Sequence, residues 1–168
     1  MGPVKDQATR PLYTPAERVR RDASSWTLVQ GILAPLQFLV FLVSLVLVLR
    51  TLATGEGETA ANGSIVVKTL LLYAIMVTGS IWEKVVFGRY LFAPAFYWED
   101  VVSMLVLALH TAYLVALASG RFDTATLMIL ALAAYASYAV NATQFLLKLR
   151  AARLQAPAGY PVSAEGAR

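Results

Sequence analysis

The sequence contains no cysteine and only one histidine, His110. Without cysteine there is no disulfide, cysteine-ligated zinc or iron–sulfur cluster, covalently attached haem or thiol nucleophile. One histidine cannot give a haem two axial ligands or build a multi-histidine metal site within one protomer. Charge is also scarce, at 14% against 58% hydrophobic residues, with a mean hydropathy of +0.63. A soluble domain of 168 residues does not need so apolar a composition, so we expect a membrane protein.

Long uncharged runs predict the membrane spans. A helix needs about 20 apolar residues to cross a bilayer, and three runs without Lys, Arg, Asp or Glu meet that length. A fourth run contains Lys68 near one end and Glu83 and Lys84 near the other, and we expect Lys68 to snorkel to its interface. We predict an all-α integral membrane four-helix bundle with spans at residues 26–49, 65–87, 100–120 and 124–147.

The lysines and arginines outside the spans indicate the orientation. Most of the 14 lie near the termini or between spans two and three: Lys5, Arg10, Arg18, Arg20, Arg21, Lys84, Arg89, Lys148, Arg150, Arg153 and Arg168. By the positive-inside rule both termini are predicted to be cytoplasmic. Since the membrane accounts for the basic residues, we expect no nucleic-acid partner.

Two segments are predicted to flank the span region 26–150. Residues 1–25 form a cytoplasmic N-terminal segment, in which Thr14 and Glu17 make a capping box around Pro15 and predict a short interfacial helix. Residues 151–168 form a flexible C-terminal tail, rich in proline and glycine.

Polar residues share helix faces inside the predicted bundle. Such sets are Gln30, Gln37 and Ser44 on span one, Glu99, Ser103 and His110 on span three, and Tyr138, Asn141 and Lys148 on span four. Many lie at the predicted cytoplasmic ends, which favours a polar pocket open to that side. The alternative is that the charged ones are ordinary interface residues and that His110 makes a helix-to-helix hydrogen bond.

The connection between spans two and three is rich in aromatic residues: Phe87, Tyr90, Phe92, Phe96, Tyr97 and Trp98. An aromatic belt at the membrane interface is one explanation. The other is an apolar wall for a large planar ligand that arrives from the membrane.

Several stretches resemble one known family. They are residues 82–100 (WEKVVFGRYLFAPAFYWED), 10–15 (RPLYTP), 26–31 (WTLVQG) and 34–38 (APLQF). They resemble the vinyl bacteriochlorophyllide hydratase family of phototrophic bacteria, over about residues 10–153. The resemblance implies a multi-pass hydro-lyase of the bacterial inner (cytoplasmic or intracytoplasmic) membrane. Such an enzyme adds water to the 3-vinyl group of chlorophyllide a or 3-vinyl bacteriochlorophyllide a and so forms a 1-hydroxyethyl group.

Hydration of an alkene needs an acid and a base rather than a redox cofactor, metal or cysteine, so we expect no cofactor. The acid protonates the terminal vinyl carbon, and water then adds to the adjacent carbon. We predict that Glu83 and Glu99 are the acid and base, in either order, with Asp100 in support. The predicted substrate-binding residues are Lys84 and Arg89, as partners of the propionate, and Tyr90, Phe92, Phe96, Trp98, His110, Gln37 and Asn141.

Other classes fit less well. A proton-coupled transporter would carry an acidic residue well inside a span, where the sequence shows only His110. A membrane cytochrome would need a second axial ligand. The main alternative is a non-catalytic pigment-binding or photosystem assembly factor. The chlorin or bacteriochlorin preference, the stereochemistry of the alcohol, the role of His110, and a homo-oligomer or contacts with other pigment-synthesis enzymes stay open.

Overall fold

Five α-helices form the part of the chain that this computed structural model describes, residues 11–154. They are α1 (Pro15–Ala23), α2 (Ser25–Thr54), α3 (Glu58–Phe87), α4 (Tyr97–Ser119) and α5 (Thr124–Leu154). The last four are long and apolar enough to cross a membrane, which confirms the all-helical prediction with four candidate spans. Helix α5 includes the start of the predicted tail. The rest of that tail, and the chain before residue 11, lie outside the described residues.

Helix α1 is the predicted short helix with its capping box. The Thr14 N–H donates to Glu17 Oε2 at 2.7 Å, and the Glu17 N–H donates to Thr14 Oγ1 at 3.3 Å. Ser24, in extended conformation, separates α1 from α2 and caps the second helix by accepting from the Trp26 N–H. Arg20 Nε donates to the Val86 carbonyl at 2.8 Å, so α1 is held against the last turn of α3.

Side-chain hydrogen bonds set the register between the long helices. They join Gln30 to Thr78 at 2.7 Å and Ser44 to Ser64 at 2.6 Å between α2 and α3, and Asn141 to Ser103 at 2.6 Å between α4 and α5. These contacts are antiparallel, since the residue number rises along one helix as it falls along the other. Helix α2 packs mainly on α3 and α4 mainly on α5. The two pairs also meet where Ser44 contacts the Tyr135 hydroxyl.

Two hydrophobic clusters occupy different depths of the bundle. The larger lies in the middle and includes Phe41, Val48 and Tyr135. The smaller is aromatic, contains Tyr13 and Phe96, and lies where α1, the end of α3 and the end of α5 meet. The second cluster supports the connection between α3 and α4, and therefore the site described next.

Candidate functional site

The carboxyl groups of Glu83 and Asp100 lie side by side at one end of the bundle, where they bond to two successive backbone N–H groups. Glu83 is in the last turns of α3 and Asp100 is in the first turn of α4, so the short connection of residues 88–96 brings them together. Both residues are buried, with exposures of 5% and 3%. Two carboxyl groups in contact repel when both are ionised, whereas one shared proton turns the contact into a hydrogen bond. We call this pair the dyad.

Two successive backbone N–H groups of the connection hold the dyad. The Phe92 N–H donates to Asp100 Oδ2 at 2.7 Å, and the Ala93 N–H donates to Glu83 Oε2 at 3.2 Å. Phe92 has a φ of 59° and is the one residue other than glycine with positive φ in residues 11–154. This left-handed conformation is unfavourable for a residue with a side chain and is typical of functional sites. Here it directs both N–H groups towards the dyad.

Glu99 forms a separate ion pair beside the dyad. Its Oε2 lies 2.5 Å from Lys148 Nζ, and the same ammonium group donates to the Ala95 carbonyl. Asn141 Nδ2 donates to the Glu99 carbonyl at 3.2 Å and to Ser103 Oγ. Glu83 and Glu99 are the acid and base predicted from the sequence, but the structure brings Glu83 to Asp100. The Glu99 carboxylate is engaged with a lysine of α5.

Two exposed cations lie near the dyad, Lys84 in the last turn of α3 and Arg89 in the connection. Lys84 Nζ donates to the Gly88 carbonyl at 2.9 Å, and Arg89 donates to the Phe92 carbonyl at 3.4 Å. Each side chain keeps further N–H donors that these bonds do not use. An anionic group that lies against the connection can therefore be bound by both.

The aromatic residues of the connection divide into an inner and an outer set. Phe96 is only 1% exposed and packs against a ring of other aromatics: Tyr13, Trp82, Phe87 and Phe145. It is thus a core residue beneath the connection. Tyr90 and Trp98 are 61% and 69% exposed, and Phe92 is half-buried. Together with Tyr97, which is 47% exposed and contacts both Phe92 and Trp98, this outer set presents an aromatic surface near the dyad.

Tyr13 ties the segment before α1 to the aromatic core. Its ring stacks on Phe87 with the centroids 5.8 Å apart, and the Arg21 guanidinium lies 4.7 Å above the ring centroid. Burial raises the pKa of the Tyr13 hydroxyl above its usual value, while the positive charge of Arg21 opposes that rise.

A second group of polar residues lies deeper in the bundle, and one of them is misplaced by the sequence analysis. Lys68 is 0% exposed, and its Nζ lies 3.6 Å from the centroid of the Tyr138 ring. The prediction that it snorkels to an interface is wrong, because the whole side chain is buried inside the bundle and its Nζ points to a ring of α5.

His110 and Gln37 belong to the same deep region, with exposures of 0% and 2%. His110 Nδ1 bonds to the Val106 carbonyl of its own helix at 2.8 Å, so the alternative of a helix-to-helix hydrogen bond is not found within the described chain. Along α4, His110 is about 16 Å from Glu99. These two residues therefore lie away from the dyad.

A groove with a volume of about 640 Å³ lies on the bundle surface at the opposite end of α4. Small side chains such as Ala108 and Ala112 line it, together with Arg121 and Phe122. It has no carboxyl side chain in its lining, so it offers no acid and base pair. The dyad is the better candidate for chemistry even though it lies outside this groove.

Known proteins similar to this chain carry one description. A family model described as 2-vinyl bacteriochlorophyllide hydratase matches residues 13–151. The chain is 68% identical over 152 residues to the 2-vinyl bacteriochlorophyllide hydratase of Rhodobacter capsulatus, which covers 90% of this chain and 88% of that protein. It is 69% identical over 145 residues to the protein of the same name from Cereibacter sphaeroides, covering 86% and 90%. No solved structure matches.

Proposed function

This chain belongs to the 2-vinyl bacteriochlorophyllide hydratase family, and on that premise we propose that it hydrates the vinyl group of chlorophyllide a or 3-vinyl bacteriochlorophyllide a. The vinyl group called 2-vinyl in the family name is the group called 3-vinyl here. The product carries a 1-hydroxyethyl group in place of the vinyl group. The mechanism rests on the observation that Glu83 and Asp100 bond to two successive backbone N–H groups, which brings their carboxyl groups together.

In the proposed mechanism the two carboxyl groups of the dyad act as acid and base. The protonated one donates its proton to the terminal vinyl carbon, and the electrons of the double bond form the new C–H bond. The adjacent carbon becomes positively charged, and the conjugated macrocycle spreads this charge. The ionised carboxylate stabilises the cation and takes a proton from the water molecule that attacks it.

The dyad returns to its starting state because the two carboxyl groups are in contact. After one turnover the acid has lost its proton to the substrate, and the base has gained a proton from the attacking water. Transfer across the hydrogen bond between them restores the original arrangement, and either order of roles gives the same net reaction. The N–H groups of Phe92 and Ala93 keep one oxygen of each carboxyl group in place throughout.

The substrate is proposed to lie against the connection of residues 88–96. Lys84 and Arg89 bind its propionate, since both are exposed and retain free donors. The rings of Tyr90, Phe92 and Trp98 contact the macrocycle, and Phe96 supports them from the core. Asn141 holds the Glu99 backbone, so it acts by positioning the first turn of α4.

We propose a cytoplasmic location for the dyad end of the bundle, with both termini on that side of a bacterial inner (cytoplasmic or intracytoplasmic) membrane. The positive-inside rule supports this orientation, because most basic residues of the described chain flank the dyad end. They are Arg18, Arg20, Arg21, Lys84, Arg89, Lys148, Arg150 and Arg153. In this proposal residues 26–150 form the membrane domain between two cytoplasmic segments.

The test is chemical conversion of pigment. Membranes that contain the protein are incubated with the vinyl pigment, and the pigment is extracted and weighed by mass spectrometry. We expect a gain of the mass of one water molecule, absent from membranes without the protein. Pigment that binds to the protein and is recovered unchanged would favour the alternative, a pigment-binding or assembly factor, and would contradict the proposal.

A further inference from the structure

Three side chains in the middle of the bundle carry buried polar atoms without a hydrogen-bond partner in residues 11–154. The atoms are both amide atoms of Gln37, Nζ of Lys68 and Nε2 of His110. These residues come from α2, α3 and α4 and are 2%, 0% and 0% exposed. Buried polar groups in native proteins are almost always bonded, either to the protein or to ordered water. We call these three residues the interior cluster.

The interior cluster is gathered around two tyrosines of α5. Lys68 Nζ lies over the Tyr138 ring, and the His110 ring is 5.9 Å from the Tyr135 ring, one helical turn away. The Phe41 ring contacts both tyrosines, with centroids 5.0 and 5.3 Å apart, and the glutamine of the cluster lies one turn before Phe41 on the same face of α2. The three polar groups therefore follow one another along the bundle axis over about 12 Å.

The interior cluster is continuous in depth with the polar residues that surround the dyad. Helices α2 and α5 run antiparallel, and Phe41 lies opposite Tyr138. Gln37 is one turn before Phe41 on α2, and Asn141 is about one turn after Tyr138 on α5. Because the helices are antiparallel, Gln37 and Asn141 lie at the same depth in the bundle. Asn141 bonds to Ser103 and to the Glu99 carbonyl, next to the dyad. Polar groups thus follow one another from the dyad into the membrane interior.

The unpartnered atoms define the chemistry of what they bind. His110 Nδ1 donates to a carbonyl, so Nε2 of the neutral ring is an acceptor, whereas Lys68 Nζ carries N–H donors. A ligand that satisfies both must donate to the histidine and accept from the lysine. Chloride cannot donate a hydrogen bond, and the described residues contain no cluster of His, Asp or Glu side chains that could hold a metal ion. Water does both, and the Gln37 amide can bond to it in either sense.

We propose that Gln37, Lys68 and His110 form an internal water-binding site in the middle of the bundle, and that this site supplies the water for hydration. A large flat pigment that covers the dyad excludes bulk water from that side. The water that reacts then comes from the protein side, past Asn141. The role of this site as the source of the reacting water rests on the proposed hydratase function, whereas the binding of water at the site does not. In this proposal Gln37 and His110 bind the water rather than the pigment.

Solid-state NMR of the full-length protein in lipid bilayers tests the occupancy. Because the sequence has a single histidine, ¹⁵N-histidine labelling gives signals from His110 alone. We expect an unprotonated Nε2 that receives magnetisation from water protons at short mixing times. Gln37→Leu, which keeps much of the side-chain volume, is expected to lower this transfer at least about twofold, because it removes two hydrogen-bonding atoms from the water-binding site. An Nε2 without transfer from water in the wild-type protein would overturn the proposal.

Thr143→Val is the matched control for this experiment. Thr143 is exposed, and its hydroxyl bonds to the Ala139 carbonyl of its own helix. The change therefore removes a polar group from the same bundle without touching the interior cluster, and we expect the transfer to His110 to stay at the wild-type level. An equal loss in the Thr143 and Gln37 variants would contradict a local site.

Steady-state kinetics test the supply role. We expect Gln37→Leu to lower kcat about tenfold, which corresponds to 1.4 kcal/mol, with KM for the pigment within about twofold of wild type. A raised KM with unchanged kcat would return Gln37 to pigment binding and contradict the supply role. If wild-type protein binds interior water but hydrates no pigment, the proposed function fails while the water site stands. The wild-type NMR measurement needs no variant, so it decides the occupancy even if Gln37→Leu does not fold.

Discussion

Glu83 and Asp100 meet because residues 88–96 turn the chain back between α3 and α4, and each carboxyl group accepts a backbone N–H from that turn. Glu99 lies next to Asp100 in sequence but points to α5, where it pairs with Lys148. The two carboxylates of one helical turn thus have different partners. One belongs to a carboxyl pair suited to proton transfer, and the other to an ion pair that joins α4 to α5.

Removing one member of the Glu99–Lys148 pair is expected to destabilise the bundle. Lys148→Met leaves the buried Glu99 carboxylate without its partner, at a cost of about 1–3 kcal/mol in the free energy of unfolding. The double variant with Glu99→Gln removes the unpaired charge as well and should recover part of that loss. A double-mutant cycle of thermal unfolding in detergent measures the coupling. Additive losses in the two single variants would show that the pair contributes nothing.

Replacing Lys84 and Arg89 by methionine is expected to weaken pigment binding. Methionine keeps much of the side-chain bulk but cannot pair with a propionate. We expect the double variant to raise KM about tenfold, a loss of about 1.4 kcal/mol, with a smaller effect on kcat. The comparison is with pigment esterified at the propionate. Wild-type protein that uses the ester as well as the free acid would contradict a role for these cations.

Phe92 offers a test of the strained turn. Its φ of 59° suits glycine and disfavours any residue with a Cβ. Both Phe92→Gly and Phe92→Ala remove the ring, but only glycine adopts this φ without strain. We therefore expect the glycine variant to be more stable than the alanine variant by about 1 kcal/mol. It should also retain more activity, because its backbone N–H groups stay directed at the dyad. Equal stability and activity in both variants would argue against strain at this position.

Tyr13 predicts a loss of stability at alkaline pH. Burial raises the pKa of its hydroxyl in the folded protein, so the unfolded chain loses this proton at lower pH than the folded one. The contribution is complete below the unfolded pKa of about 10 and disappears as pH rises through the folded pKa. The melting temperature is expected to fall between about pH 9 and about pH 11. This fall should be smaller in Tyr13→Phe than in Tyr90→Phe, a control variant at an exposed tyrosine. Identical pH profiles would contradict the prediction.

The sequence predicts the helices well because uncharged runs and capping residues are local signals. The structure has four helices long and apolar enough to cross a membrane, and it has the capping box at Thr14. The start of α3 is missed, because residues 58–64 (ETAANGS) are polar and small and resemble a loop.

Helical periodicity groups residues on one helix but does not say which helix each face meets. It correctly places Ser103 and His110 on one buried face of α4. It cannot distinguish Glu99 from Asp100 as the partner of Glu83, since adjacent helical residues point about 100° apart and both are close to the same turn. The choice depends on how α4 is rotated against α3 and α5, which is set by contacts between the helices, such as those of Phe96 with α3 and α5 and of Asn141 with α4.

The most direct test of the dyad is a comparison of hydration rates in folded variants of known abundance. We expect Glu83→Gln and Asp100→Asn each to lower the rate about 100-fold or more, since each removes an acid or base. Glu58→Gln, at the exposed opposite end of α3, should match wild type, and Glu99→Gln should stay within about tenfold of it. Near-wild-type activity of Asp100→Asn together with a loss of about 100-fold in Glu99→Gln would contradict the dyad.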